Sequence, residues 1–265
     1  PTVTVKDGTT ELKDTDYTVS GGPTGTDAGD YTITVACTGN YTGSNTANWK
    51  ITKATPKPED FDVPTLAASY PYTGSEQTAP APATTKTDMG DVTVNYPGGT
   101  TPKFVGDYDL TFSVAEGQNY KAAGPFTYGT MKIVAVAQTP KITPTARLST
   151  GGNTLDLTSL LSDYKGTPSF VISSGTAATL SGNVLTTTDT AGTVKITVNI
   201  PAVDENIDGT PEYNAYTSTD AITITVSNKP IDTNRIVTIK QEGCTYGETL
   251  PNYELISAST HQGTT

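Results

Sequence analysis

An all-β chain made of successive small sandwiches is predicted by three observations. The composition holds 54 Thr with Gly 25 and Pro 18, favouring strands and turns over helices. Apolar and polar residues alternate over several separate stretches, the period of a strand with one buried face. The same stretches recur in order along the chain, which marks a repeated unit. At 265 residues the chain also exceeds the usual single-domain size, so several modules are expected.

The first copy opens with TVTVKDG (2–8), read as a short strand ending at a Gly turn. AGDYTITVACTGNYTG (28–43) then aligns with VGDYDLTFSVAEGQNYKA (105–122). Gly29 matches Gly106, and Tyr31, Ile33, Val35 and Cys37 match Tyr108, Leu110, Phe112 and Val114 on the inward face. Asn40-Tyr41 and Asn119-Tyr120 mark the turn into the next strand. That strand, NWKITK (48–53), matches TMKIVA (130–135), setting Trp49 against Met131 and Ile51 against Ile133. The second copy adds an opening strand in SYPYTGSEQTAP (69–80), and its DVTVNYPGG (91–99) is matched to 2–8.

A third module has a different front end, with strands expected in 154–161, 168–174, 178–186 and 191–200 and closure at AITITVSNKP (221–230). Its Ala191-Gly192 start echoes Ala28-Gly29, so Val194, Ile196 and Val198 correspond to Tyr31, Ile33 and Val35. A fourth unit opens near RIVTIKQEGCTYGETLP (235–251) and is too short by Thr265 to complete a sandwich. The expected division is therefore 1–54 (beginning inside or at the edge of a module), 55–136, 137–228 and a truncated 229–265. Short strands at this spacing, with turns between them, predict tandem Ig-like β-sandwiches. Short Pro-containing connections at 54–60 and 135–144 favour an extended array.

The segments TVTVKDGTTELKDTDYTVS, AGDYTITVACTGNYTG and NWKITKAT together resemble the MBG/YDG-type Ig-like repeats of bacterial surface proteins. The resemblance is close over 1–54 and looser over 55–136, where APAPATTKTDMGD (80–91 with its flank) departs from the pattern. Residues 137–228 are similar to bacterial Ig-like (BIG or cadherin-like) domains, chiefly through VLTTTDTAGTVKITV. The resemblance implies stalks, spacers or adhesive units, located extracellularly on a cell surface or secreted, with no catalytic motif. The partners it implies are host or environmental glycans or proteins.

Charge and composition narrow the classes further. A net charge of −11 lacks the basic footprint of a nucleic-acid partner or an anionic membrane surface. No apolar run approaches the roughly 20 residues of a membrane-spanning helix. The acidic, Thr-rich surface is expected to keep the chain monomeric. With one His (His261) and 27 carboxylates of which no pair stands out, no catalytic residue and no cofactor is expected. Cys37 faces inward and Cys244 belongs to another module, so both are expected as free thiols.

Asp204, Glu205 and Asp208 form a calcium candidate in VDENIDG, because hard oxygen ligands in a loop suit Ca²⁺. Their spacing is read as differing from the EF-hand pattern, and acidic loops are ordinarily solvated, so no metal is assigned. Asp14/Asp16 and Asp60/Asp62 rank below them. Tyr70, Tyr72, Tyr213 and Tyr216 are candidates for stacking on sugars, whereas Tyr41 and Tyr120 are expected to tie a hydroxyl to backbone. Trp49 is expected in the core, and Asn48 and Lys50 on the opposite face. The function expected is a non-catalytic stalk, spacer or adhesive segment. The alternative is a glycan-binding accessory region of a carbohydrate-active enzyme.

Overall fold

A computed structural model describes residues 2–230. Among them there is no α-helix; the helical elements are three 3-10 turns at Pro58–Asp60, Pro97–Gly99 and Leu157–Leu160, and the fold is all-β. The chain divides into two compact units, residues 1–134 and 135 onward. The fourth unit expected after 229, with Cys244 and His261, lies outside the described residues from 231.

In the first unit, Tyr17–Gly21, Gly29–Cys37 and Ser44–Ile51 form a three-stranded antiparallel sheet. Gly29 pairs with Ile51, Tyr31 with Trp49, and Val35 with both Val19 and Asn45. Residues directly opposed in such a ladder share a face. Tyr17, Val19, Tyr31, Ile33, Val35 and Trp49 therefore line one side, and Thr18, Ser20, Asp30, Thr32, Asn48 and Lys50 the other. The aromatic pair stacks, with ring centroids of Tyr31 and Trp49 4.6 Å apart.

The same ladder recurs in residues 55–134. Four strands lie in the order Tyr70–Pro71, Ala123–Val134, Gly106–Val114, Val92–Asn95, with the first pair parallel. Gly106 pairs with Ile133 and Tyr108 with Met131, matching the register of Gly29 with Ile51 and Tyr31 with Trp49. Leu110, Phe112, Val114, Met131 and Ile133 are buried. The Phe61, Phe112 and Phe126 rings close the core at centroid distances of 5.1 to 5.4 Å.

Two sequence expectations are corrected here. Of 2–8, only Lys6–Asp7 is a strand, and it turns back at once on Thr10–Glu11 across Gly8 at φ 57. The true counterpart of Val92–Asn95 is Tyr17–Gly21, because each is the edge partner of its copy's Gly-initiated strand. The hydroxyl tie belongs to the strand tyrosines and not to Tyr41 and Tyr120. Tyr31 donates to the Asp27 carbonyl at 2.7 Å and Tyr108 to the Phe104 carbonyl at 2.9 Å. Both reach four residues upstream, where the chain turns into the strand.

In the second unit Thr145–Ser149, Tyr216–Ser227, Gly192–Ile200 and Ser169–Ser174 form one sheet, again with a parallel first pair. Gly192 pairs with Val226 and Val194 with Ile224. A second sheet, Thr154–Asp156, Val184–Thr187 and Ala178–Ser181, contributes to the same core. Leu157, Leu185, Val194, Ile196, Val198, Ile222 and Ile224 are wholly buried there, each contributing roughly 1.5–3 kcal/mol by transfer from water. Asp156 caps the Leu157 turn, accepting from the Thr158 amide at 3.0 Å.

Truncating Ile224 to Ala is expected to destabilise the second unit by about 2–5 kcal/mol, seen as a lower urea midpoint in far-UV circular dichroism. Trp49, the chain's single Trp, sits in the first unit, so its fluorescence midpoint should not move.

Candidate functional site

The residue three positions beyond each closing Ile is gripped by the loop that precedes the next closing strand. Ala54 follows Ile51; its amide donates to the Asn119 carbonyl and its carbonyl accepts from the Lys121 amide, both at 2.9 Å. These bonds straddle Tyr120 in a parallel bridge. Val136 follows Ile133 in the same way. It donates to the Glu212 carbonyl at 3.0 Å and accepts from the Asn214 amide at 2.9 Å, straddling Tyr213. Two different connections thus use one backbone clasp.

Side chains reinforce each clasp differently. Asn119 Oδ1 accepts from the Ala28 amide at 2.7 Å, while its Nδ2 donates to Asp27 at 2.9 Å and Asp88 at 3.3 Å. Lys53 donates to Glu116 Oε1 and to the Gly117 carbonyl. That hydrogen bond, and then the ammonium's attraction, hold the Glu116 carboxyl below the usual carboxylate range. At the second clasp the buried Gln138 donates to the Pro201 and Asn214 carbonyls and accepts from the Lys165 amide. The sequence marks Asn119 only as a turn residue, since its partners at 27 and 28 are remote along the chain.

The acidic loop 203–213 grows from the second clasp. Its base closes by Val203 amide to Tyr213 carbonyl at 3.0 Å and Tyr213 amide to Val203 carbonyl at 3.1 Å. Asp204 turns into the loop, with Oδ1 accepting from Ile207 at 2.7 Å and Asp208 at 3.3 Å, and Oδ2 from Gly209 at 2.7 Å. Asp208 accepts from the Thr210 amide at 2.7 Å and from Asn206 Nδ2 at 2.9 Å. The Thr210 bond leads in holding the Asp208 carboxyl below its ordinary range.

The three sequence candidates therefore separate. Asp204 and Asp208 both accept hydrogen bonds from within the loop, whereas the Glu205 carboxylate lies 3.9 Å from Lys165 and contributes its amide instead, to Glu212 Oε2 at 2.7 Å. Glu212 is fully buried and was missed, as was Asn206. The spacing carried a signal for both: Asp204, Asn206 and Asp208 alternate, Gly209 follows, and Glu212 stands ninth from Asp204. The first six positions follow the EF-hand pattern, and the full pattern is not met because Ala215 stands at the twelfth. Among the described residues no three His, Cys, Asp or Glu side chains meet as a metal cage by themselves.

The aromatic candidates are mostly engaged. Tyr72 is buried, Tyr216 packs on the second unit's core, and the Tyr70 hydroxyl accepts from the Ala67 amide. Tyr213 lines a depression of about 290 Å³ with Gln138, Tyr164 and Lys165. Trp49 is half-buried, not core, and donates to the Gly22 carbonyl at 2.8 Å. Gly25 lies so close to Tyr31 that a Cβ there would sit 2.5 Å from the ring. Cys37 is a half-buried free thiol at the end of its strand, not a core residue. Asp16 and Asp60 each accept from a nearby backbone amide, at Lys13 and Lys57. Comparison with protein-family models and with curated proteins finds no match to this chain.

Asn119→Ala is expected to cost about 1–3 kcal/mol, because the Ala28 amide loses its acceptor. Hydrogen exchange at Ala28 should accelerate with it. The Lys53–Glu116 contribution is present above Glu116's ordinary value of 4.5 and is lost as pH falls through the lower folded value. Acid should therefore lower the protection factor at Lys121, read against the intrinsic exchange rate at each pH, and Glu116→Gln should remove that change.

Proposed function

We propose that the chain is a non-catalytic segment of a bacterial cell-surface or secreted protein, built of tandem Ig-like β-sandwich modules in an extended array. It acts as a stalk or spacer, or contributes an adhesive surface to glycans or proteins. The observation that supports this reading best is the repeated clasp. Ala54 and Val136 leave their strands at equivalent positions and are each held by two backbone hydrogen bonds straddling a Tyr. The same local arrangement after two successive ladders supports a repeated unit, which suits a spacer more than a binding cleft. The resemblance of 1–136 to MBG/YDG-type repeats and of 137–228 to bacterial Ig-like domains points the same way.

The competing reading, a glycan-binding accessory region, requires an aromatic face open to a sugar ring. Tyr31 is covered by Trp49 on one side and by Gly22 and Gly25 nearby, which lends that reading less support. Small-angle scattering tests the extended array. A radius of gyration well above the roughly 18 Å of a compact chain of this length is expected, and a value near 18 Å would sink the proposal. A glycan array should show no saturable binding that is lost on substituting Trp49 or Tyr213.

A further inference from the structure

We propose that loop 203–213 is a calcium site, with Asp204, Asn206, Asp208 and Glu212 supplying side-chain oxygens and Thr210 its backbone carbonyl. The proposal begins from two atoms. Among the described residues, the only buried side-chain oxygens or nitrogens with no hydrogen-bond partner are Asn206 Oδ1 and Glu212 Oε1. Both belong to this one loop. Glu212 is wholly buried, and its other oxygen accepts from the Glu205 amide at 2.7 Å, so its carboxylate is directed into the loop. Leaving such an oxygen dry and unpaired is costly; a cation is a partner that can satisfy an acceptor-only carboxylate oxygen and an amide oxygen together.

The order of the donors agrees. Counted from Asp204, the loop reads D-x-N-x-D-G-x-x-E. In calcium loops of this kind, oxygens at the first, third and fifth positions, a carbonyl at the seventh and a donor at the ninth surround the ion, with Gly at the sixth for the sharp turn. Here those positions are Asp204, Asn206, Asp208, Thr210, Glu212 and Gly209, the last at φ 92. The two unpartnered oxygens fall at the third and ninth positions. The set is all oxygen, which selects a hard cation over zinc. Its five donors, most of them side-chain oxygens, suit the 6–8-coordinate Ca²⁺ better than Mg²⁺, which demands a strict octahedron and keeps several waters. The three carboxylates, Asp204, Asp208 and Glu212, do not meet as a cage in the described structure, so an ion would have to draw them together; their three charges exceed those of a divalent ion by one. Glu205 stays outside, facing Lys165.

The site also touches the connecting segment. The Glu212 carbonyl is the acceptor for Val136 in the second clasp, so drawing its carboxylate onto an ion tightens the same residue that holds the connection. Ion binding itself rests on the loop's own residues and is independent of the proposed stalk role.

The full chain, first stripped with a chelator, is titrated with CaCl₂ by calorimetry, and hydrogen exchange is followed at 204–213 and at Val136. One ion should bind with a dissociation constant between about 10⁻⁵ and 10⁻³ M. It should slow exchange in the loop and at Val136, and raise the melting temperature of the second unit while the Trp49-reported transition stays put. Glu212→Gln and Asp208→Asn should each weaken binding at least tenfold, with Glu205→Gln within twofold of the parent. Absence of heat and of loop protection in the unaltered chain up to about 10 mM Ca²⁺, well beyond the weakest class of such sites, would overturn the proposal, whatever the variants do. Unchanged affinity in Glu212→Gln would overturn the placement, and Mg²⁺ binding as tightly as Ca²⁺ would overturn the choice of ion.

Discussion

The pairing of a Gly-initiated strand with a closing strand, in one fixed register, is the constraint from which the rest follows. Gly29 faces Ile51, Gly106 faces Ile133 and Gly192 faces Val226. A slip by one residue would turn every inward side chain outward, so the register is specified wherever one face is buried. Once it is set, the tyrosine two residues after the Gly in the first two copies falls where its hydroxyl can reach back four residues. The point at which the chain leaves the closing strand is set as well. Three residues later it reaches the next loop at Ala54 or Val136.

The same frame is filled to very different degrees. Among residues 2–54 only Leu12 and Ile33 are buried hydrophobics, whereas the second unit buries a contiguous cluster running from Leu157 to Val226. With each buried aliphatic side chain contributing only about 1.5–3 kcal/mol, two cannot offset the ordering of fifty residues. The first sheet instead leans on the Tyr31–Trp49 stack, the Trp49 bond to Gly22, and the ties through Asn119 and Lys53 to residues beyond 54. This accounts for residues 1–134 forming one compact unit although they carry two copies of the ladder.

Much of the ladder was legible in the sequence, because period-two alternation is local. The equivalence of Tyr31 with Tyr108, of Trp49 with Met131 and of Val194 with Tyr31 could be read without coordinates, whereas the pairing of Tyr31 with Trp49 across the ladder could not. Tyr17–Gly21 was not, since its alternation is weak and TVTVKDG offered a stronger pattern that Gly8 in fact folds back on itself. Trp49 was assigned to the core from its register with Ile51, but register sets a face and not whether anything covers it. The clasp and the bonds of Asn119 depend on contacts spanning ninety residues, for which one sequence has no local mark. In the acidic loop, charge drew attention to Glu205, while Glu212 and the Asn206 Oδ1 atom are distinguished by burial that only folding reveals.

The parallel pairing of Thr145–Ser149 with Tyr216–Ser227 has a mechanical consequence. Within this pair the chain enters Thr145–Ser149 at Thr145 and leaves Tyr216–Ser227 at Ser227, at opposite ends of the paired row. Tension applied along the polypeptide therefore slides the two strands lengthwise past each other, loading the five paired positions from Thr145↔Thr223 to Ser149↔Ser227 together. In that geometry the paired positions are loaded in parallel instead of being peeled one bond at a time.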